Sequence, residues 1–101
     1  MESRDADIVL CCLLWASEGL EDDLSAYEDA VLPLIGDHGG EVLQRARGDG
    51  SEGRPHEVHL YRFPSQAAID AYIADPRRLA LADERDRVVA RTDVFPVELR
   101  S

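Results

Sequence analysis

Glu57, His59, Tyr61 and Phe63 stand at every second position of one short alternating stretch. Successive side chains of a strand point to opposite faces, so these four share one face, and Val58, Leu60 and Arg62 take the other. Three polar or aromatic groups in line on a covered strand are a chemical constellation. Histidine changes charge near neutral pH, and a tyrosine hydroxyl can donate to a carbonyl or enolate oxygen. The pair suits cyclisation, isomerisation or deprotonation of a phenolic substrate, with His59 as acid or base and Tyr61 as oxyanion donor. The structural alternative is a hydrogen-bonded core histidine beside a core aromatic ring.

Other residues complete a site or stand outside it. Trp15, the only tryptophan, would stack on a flat ligand or fill a core edge. Tyr72 would form a second wall. Arg62 lies opposite Glu98 or Glu41 and either forms a buried ion pair or contacts the ligand. His38 precedes Gly39-Gly40 at a helix end, where its protonated form would meet the negative end of the helix dipole. His56 lies in or next to the hairpin and is expected to be exposed. The three histidines lack a metal-ligand spacing, so no metal is expected. The glycines over 36–40 and 48–53 have no following lysine and match no phosphate loop. Cys11 and Cys12 are adjacent and would point to opposite faces of a strand, so neither a mutual disulfide nor an activated thiol is expected.

The elements that must position these groups follow from periodicity. Ile8 to Trp15 is a nearly continuous apolar run, as expected of a central strand covered on both faces. Leu20, Leu24, Tyr27, Val31 and Leu34 form one helical stripe; Glu21, Asp22 and Asp23 sit in its first turn, and Pro33 should kink its last third. Gly39-Gly40 stops that helix, and Glu41 to Arg47 reads as a second strand. A polar glycine-rich loop leads to the third strand, His56 to Phe63. Ser65 caps a helix with Ile69, Tyr72 and Ile73 inward, and Asp75-Pro76 marks a restart. A less regular helix covers Leu79 to Val89, and Thr92 to Leu99 is a fourth strand whose Pro96 implies an edge.

The order βαββαβ predicts an α+β fold: a four-stranded antiparallel sheet with both helices on one face, the ferredoxin-like split βαβ. Strand one is apolar on both faces, so the uncovered face requires a partner, and a second copy of the chain is the simplest one. A homodimer is expected.

A chain of 101 residues fits one domain over 1–101, with residues 1–6 as a flexible tail. The formal charge is −10, from 21 acidic and 11 basic residues, and every basic residue is arginine. That field repels phosphate backbones and anionic membranes, so nucleic acid and membrane are not expected partners. The longest apolar run is too short to span a bilayer, the N-terminus is unlike a signal peptide, and reduced thiols suit the cytoplasm.

Gly39-Gly40-Glu41-Val42-Leu43-Gln44-Arg45, Leu60-Tyr61-Arg62-Phe63-Pro64-Ser65 with Ala67-Ala68, and then Tyr72, Asp75-Pro76 and Arg85 resemble a small bacterial family known only as a domain of unknown function. That family lies in the dimeric α/β-barrel superfamily, with the antibiotic biosynthesis monooxygenases, muconolactone-type isomerases, polyketide cyclases and several haem proteins. The resemblance spans roughly Tyr27 to Glu98. It implies two sheets packed face to face and a small-molecule cavity between the sheet and the helices or near the dimer seam. It also implies that Arg85, the counterpart of a recurrent arginine, pairs with an acidic group or binds a ligand carboxylate. Arg62 departs from the family, which usually has an acidic residue there.

The resulting expectation is a cytoplasmic homodimer that binds a small molecule. It would be a cofactor-independent cyclase, isomerase or monooxygenase acting on an aromatic or polyketide-like metabolite. His59 and Tyr61 would be catalytic, and Trp15, Tyr72, Arg62 and Arg85 would bind substrate. The alternative is a non-catalytic dimer that binds a metabolite or a protein. A haem protein would need an accessible histidine above an apolar cleft.

Overall fold

A computed structural model describes residues 7–100 of the protein; the tail expected over residues 1–6 lies outside the described residues. Strand β1 (Ile8–Ala16) is followed by helices α1 (Glu21–Val31) and α2 (Pro33–Asp37), then by strand β2 (Glu41–Arg47). A 3-10 turn at Ser51–Gly53 leads into β3 (Glu57–Phe63). Helices α3 (Gln66–Ile73), α4 (Pro76–Leu79) and α5 (Ala82–Val88) precede the last strand, β4 (Val89–Pro96). The strands lie in the order β2-β3-β1-β4, every neighbouring pair antiparallel. This is the ferredoxin-like βαββαβ arrangement.

The core occupies one face of the sheet. Cys12 and Leu14 of β1 and Tyr61 and Phe63 of β3 pack against Leu24, Tyr27 and Val31 of α1, Ile35 of α2, Ile69 and Tyr72 of α3, and Val88 of α5. The opposite face carries Val9, Cys11, Leu13 and Trp15 beside Val58, Leu60 and Arg62, all only partly buried. Phe95, paired with Cys11 across β1 and β4, is 41% exposed there.

Local chemistry sets the element boundaries. Pro33 has no N–H to donate, so the helix restarts with Pro33 as the first residue of α2. At the end of α2, Gly39 has φ +79°, a conformation that glycine adopts without strain. A Cβ on Gly40 would lie 2.8 Å from Ile35 Cγ2 and 2.9 Å from Phe63 Cδ1, so the chain enters β2 only where no side chain intervenes. Ser65 Oγ accepts the Ala68 N–H at 3.1 Å, and Asp75 Oδ1 accepts the Arg77 N–H at 2.8 Å, capping α3 and α4.

The last strand differs from expectation: it begins at Val89, not Thr92, and ends at Pro96. Val89 is already extended, with φ −101° and ψ 111°, one residue after the helix ends. The Ser17 N–H donates to the Val88 carbonyl at 2.8 Å, tying this junction to the end of β1. No turn residue marks the change. β4 is an edge strand, the position where Pro96 is tolerated.

Candidate functional site

Alternation in β3 aims Glu57, His59, Tyr61 and Phe63 at the helices, and Glu57 and His59 are fully buried. Buried polar groups must find partners, and here they find one another. His59 Nε2 is 2.6 Å from Glu57 Oε1, and His59 Nδ1 is 2.6 Å from the Tyr61 hydroxyl. On β2, Arg45 is the register partner of His59. It donates to Glu57 through Nε at 2.9 Å and through a terminal nitrogen at 3.0 Å, and to Asp29 at 2.6 Å. The Ser25 hydroxyl donates to the second Glu57 oxygen. Burial alone would raise the Glu57 pKa, but the hydrogen bonds from His59, Arg45 and Ser25 outweigh it and hold the carboxyl down at about 2.

An ionised carboxylate only accepts, so His59 donates from Nε2 to Glu57. In the neutral ring Nδ1 then accepts the Tyr61 hydroxyl. The result is a directed line, Tyr61 to His59 to Glu57, stabilised from outside by Arg45. Burial raises the Tyr61 hydroxyl far above its ordinary value, reinforced by the nearby Cys12 and Glu28. Burial likewise pushes the Cys12 thiol up to about 11, with the nearby Tyr61 hydroxyl acting against it.

Tyr61 ends this line at a cavity of about 120 Å³ between the sheet and the helices. Leu10, Cys12 and Leu14 of β1, Tyr61 and Phe63 of β3, and Thr92 and Val94 of β4 form its floor. Tyr27, Glu28 and Val31 of α1, Ile69, Tyr72 and Ile73 of α3, Arg78 of α4 and Arg85 of α5 form the roof. Ile73 and Val94, 50% and 52% exposed, mark the mouth. A cavity of roughly 150 Å³ admits a benzene ring, whereas drug-sized pockets run to about 300–1,000 Å³. The space therefore suits one ring or a short chain.

Glu28 is the distinctive group of this cavity. It is 4% exposed and has no hydrogen-bond partner among the described residues. Burial is the main reason its carboxyl is raised to about 7; the nearby His59 opposes the shift and the charge of Glu57 adds to it. Burial also raises the neighbouring Tyr27 hydroxyl, and that of Tyr72 to about 12, with Arg78 acting against both.

Tyr61, Tyr72 and Arg85 of the expected site residues line the cavity. His59 stands one step behind Tyr61 and does not reach the cavity wall. Trp15 and Arg62 are elsewhere, on the face away from the helices. Trp15 donates to the Gly53 carbonyl at 2.8 Å under the Arg91 guanidinium, 4.2 Å from the ring centroid. Arg62 is half-exposed, 3.4 Å from Glu41 and 3.6 Å from Asp7. Odd-numbered β1 residues and even-numbered β3 residues share that face, so the alternation that brings Tyr61 to the cavity carries these two away from it. Arg85 bonds the Thr92 hydroxyl at 3.2 Å.

His38 joins a separate cluster. Its Nε2 is 2.7 Å from Asp75, which also accepts from Arg77, and Arg77 reaches Asp37. Hydrogen bonds from Arg77 and then His38 hold the Asp75 carboxyl well below the usual carboxylate range. This cluster pins the end of α2 to the start of α4. None of the three histidines lines the cavity, and no group of three His, Cys, Asp or Glu side chains among the described residues could hold a metal ion. No helix among them is long and apolar enough to cross a membrane.

Sequence reasoning missed Glu28, Arg78 and Arg45. For Glu28 a signal existed: it stands four residues after Leu24 and three before Val31, inside the apolar stripe of α1. For Arg45 the signal was strand parity opposite His59. Nothing local marked Arg78.

The family model for a domain of unknown function, DUF1330, matches residues 20–98. The chain belongs to this family. No protein of curated function matches it. Among solved structures, a protein of unknown function from Rhodopseudomonas palustris superposes with a TM-score of 0.73 at 20% identity, covering 97% of this chain and 85% of that one. A NIPSNAP family protein of unknown function from Agrobacterium tumefaciens gives 0.74 at 13% identity, covering 91% and 86%. A protein from Bacteroides thetaiotaomicron assigned to the antibiotic biosynthesis monooxygenases gives 0.73 at 15% identity, covering 94% and 90%. At these identities the DUF1330 chain shares their fold alone.

Proposed function

We propose that this DUF1330 protein is a cofactor-independent acid–base enzyme, an isomerase or cyclase of a small enolisable or phenolic compound. The observation that supports this reading is a pair of carboxyls driven in opposite directions, one at the cavity wall and one two hydrogen bonds behind it. Glu57 is held down at about 2 behind His59, and Glu28 is raised to about 7 at the wall. Such a division is how one site supplies both a base and an acid near neutral pH.

The reaction follows from the line of hydrogen bonds. A substrate O–H gives its proton to the Tyr61 oxygen, while the Tyr61 proton passes to His59 Nδ1. The imidazolium forms beside the Glu57 carboxylate, which stays ionised. Electrons move from oxygen towards the substrate carbon, and that carbon takes a proton from the Glu28 carboxylic acid. In the reverse direction Glu28 removes the C–H proton and the relay protonates the oxygen. No electrons leave the substrate, so the step needs no oxidant. Tyr72 forms part of the wall. Trp15 and Arg62 have no part in this step.

The same reading includes assembly and location. A second copy covers the outer face of the sheet, where Val9, Leu13, Leu60 and Phe95 are only partly buried. Two unpaired cysteines fit a reducing, cytoplasmic setting.

Exchange of carbon-bound hydrogen tests the reaction. Proton NMR in D2O, with cyclohexanone and a panel of six-membered-ring enols, should show exchange at the carbon next to the carbonyl. Glu28→Gln should slow it about a hundredfold or more, the usual weight of a positioned acid–base group. Exchange no faster than with Glu28→Gln overturns the assignment. A non-catalytic binding protein is the second reading, favoured by one observation: both His59 ring nitrogens are already satisfied inside the protein. It expects ring compounds to bind equally to the wild type and to His59→Gln, without exchange in either.

A further inference from the structure

Arginine pairing divides this molecule sharply. Arg45, Arg47, Arg54, Arg62, Arg77, Arg87, Arg91 and Arg100 each lie within salt-bridge distance of a carboxylate. Among the described residues, only Arg78 and Arg85 do not, and both line the cavity. In a chain with 21 acidic residues, two guanidiniums without a carboxylate partner in one cavity are a notable exception.

Their remaining contacts leave capacity free. A guanidinium has five N–H donors. Arg78 uses one terminal nitrogen on the Ile73 carbonyl at 3.3 Å and lies against the Tyr72 hydroxyl, and its Nε is buried with no partner. Its guanidinium carbon stands 5.2 Å from the centroid of the Tyr72 ring. Arg85 has the Thr92 hydroxyl at 3.2 Å. A buried N–H without an acceptor is destabilising, so a ligand that supplies one is favoured.

Resting on the acid–base reading of the same cavity, we propose that its ligand is a small organic carboxylate, a single ring or short chain whose anionic end is held by Arg78 and Arg85. Carboxylate oxygens match the forked donors of arginine better than any neutral oxygen does. The ring would lie over Phe63 and Leu10, with its reacting end towards Tyr61 and Glu28. Glu28 does not oppose the anion while it remains a carboxylic acid, which burial favours up to about pH 7. The two arginines act locally, against the −10 charge of the whole chain.

Calorimetry on the full chain with benzoate and with benzamide, its neutral counterpart of similar shape, tests the proposal. Benzoate should bind at least about tenfold more tightly than benzamide. Arg85→Gln and Arg78→Gln should each weaken benzoate about tenfold and leave benzamide unchanged. Arg85→Lys, which keeps the charge but not the fork, should recover part of the loss, and thermal midpoints would identify a variant that fails to fold. Equal affinity for the two probes, no binding of either, or benzoate binding indifferent to both arginines overturns the proposal. Loss of ketone exchange in the wild type with benzoate binding intact would instead overturn only the acid–base reading.

Discussion

The two ends of the helix-facing surface use the same residue types to opposite effect. At one end Arg45 and Glu57 saturate each other, with Asp29, Ser25 and His59 taking the remaining valences. At the other, Arg78, Arg85 and Glu28 line one cavity, and none has an ionic partner among the described residues. The first arrangement is complete without a ligand, and its carboxyl is held ionised. The second is incomplete, and its carboxyl is pushed towards the neutral form. Composition does not separate a structural ion pair from a binding site; the count of unfilled hydrogen bonds does.

The sharpest way to break that contrast is Arg45→Ala, which leaves the buried Glu57 charge without its arginine partner. A loss of about 2–3 kcal/mol is expected in urea unfolding, since Arg45 is itself partly exposed but the buried Glu57 carboxylate loses its cation. A loss under about 1 kcal/mol would mean that this end is not saturated through Arg45.

Glu28→Gln should act in the opposite direction. At pH 8 the wild type must ionise a buried carboxyl and the variant need not, so the variant should gain about 2 kcal/mol while losing exchange activity. Equal stability of the two at pH 8 would contradict the raised carboxyl.

The pH profile of unfolding reads both ends at once. The folded-state pKa of Glu57 lies below its unfolded value, so its contribution is present above about pH 4.5 and fades as the pH falls towards 2. The depressed Asp75 adds to the same acid limb. The folded-state pKa of Glu28 lies above its unfolded value, so the folded state holds the extra proton and stability falls as the pH rises from about 4.5 to 7. The groups acting on Glu28 are His59 and Glu57 on β3, Arg45 on β2 and Arg78 on α4. Stability should peak near pH 5, and Glu28→Gln should remove the decline on the alkaline side alone.

Ser65→Ala gives the smallest effect and serves as a reference. Losing the α3 cap should cost about 1 kcal/mol and leave benzoate affinity unchanged. A change in that affinity would show that the cavity responds to general loosening and not to its own charges.

Much of this architecture could be read in advance. Period-two alternation in β3, the capping residues Ser65 and Asp75, and the two glycines before β2 each have a local mechanism, and local mechanisms survive in sequence. The start of β4 could not, because Val88 and Val89 differ in backbone geometry without any turn residue between them. The site was only half legible. Parity divided His59 and Tyr61 from Arg62 but did not say which face holds the cavity. That choice depends on where α1 lays Glu28 and where the short α4 carries Arg78, both properties of packing between distant segments.

One feature of the sheet bears on how these molecules would meet. β2 carries Glu41, Arg45 and Arg47 along its margin, with an irregularity in register between Val42 and Gln44, while β4 ends in Pro96. Charges, a bulge and a proline are the devices that stop a margin from templating another chain. Growth by strand addition is therefore discouraged on both flanks, and apolar attraction is left to the flat of the sheet. Under heat or concentration stress the molecule should resist fibrillar polymerisation by strand addition.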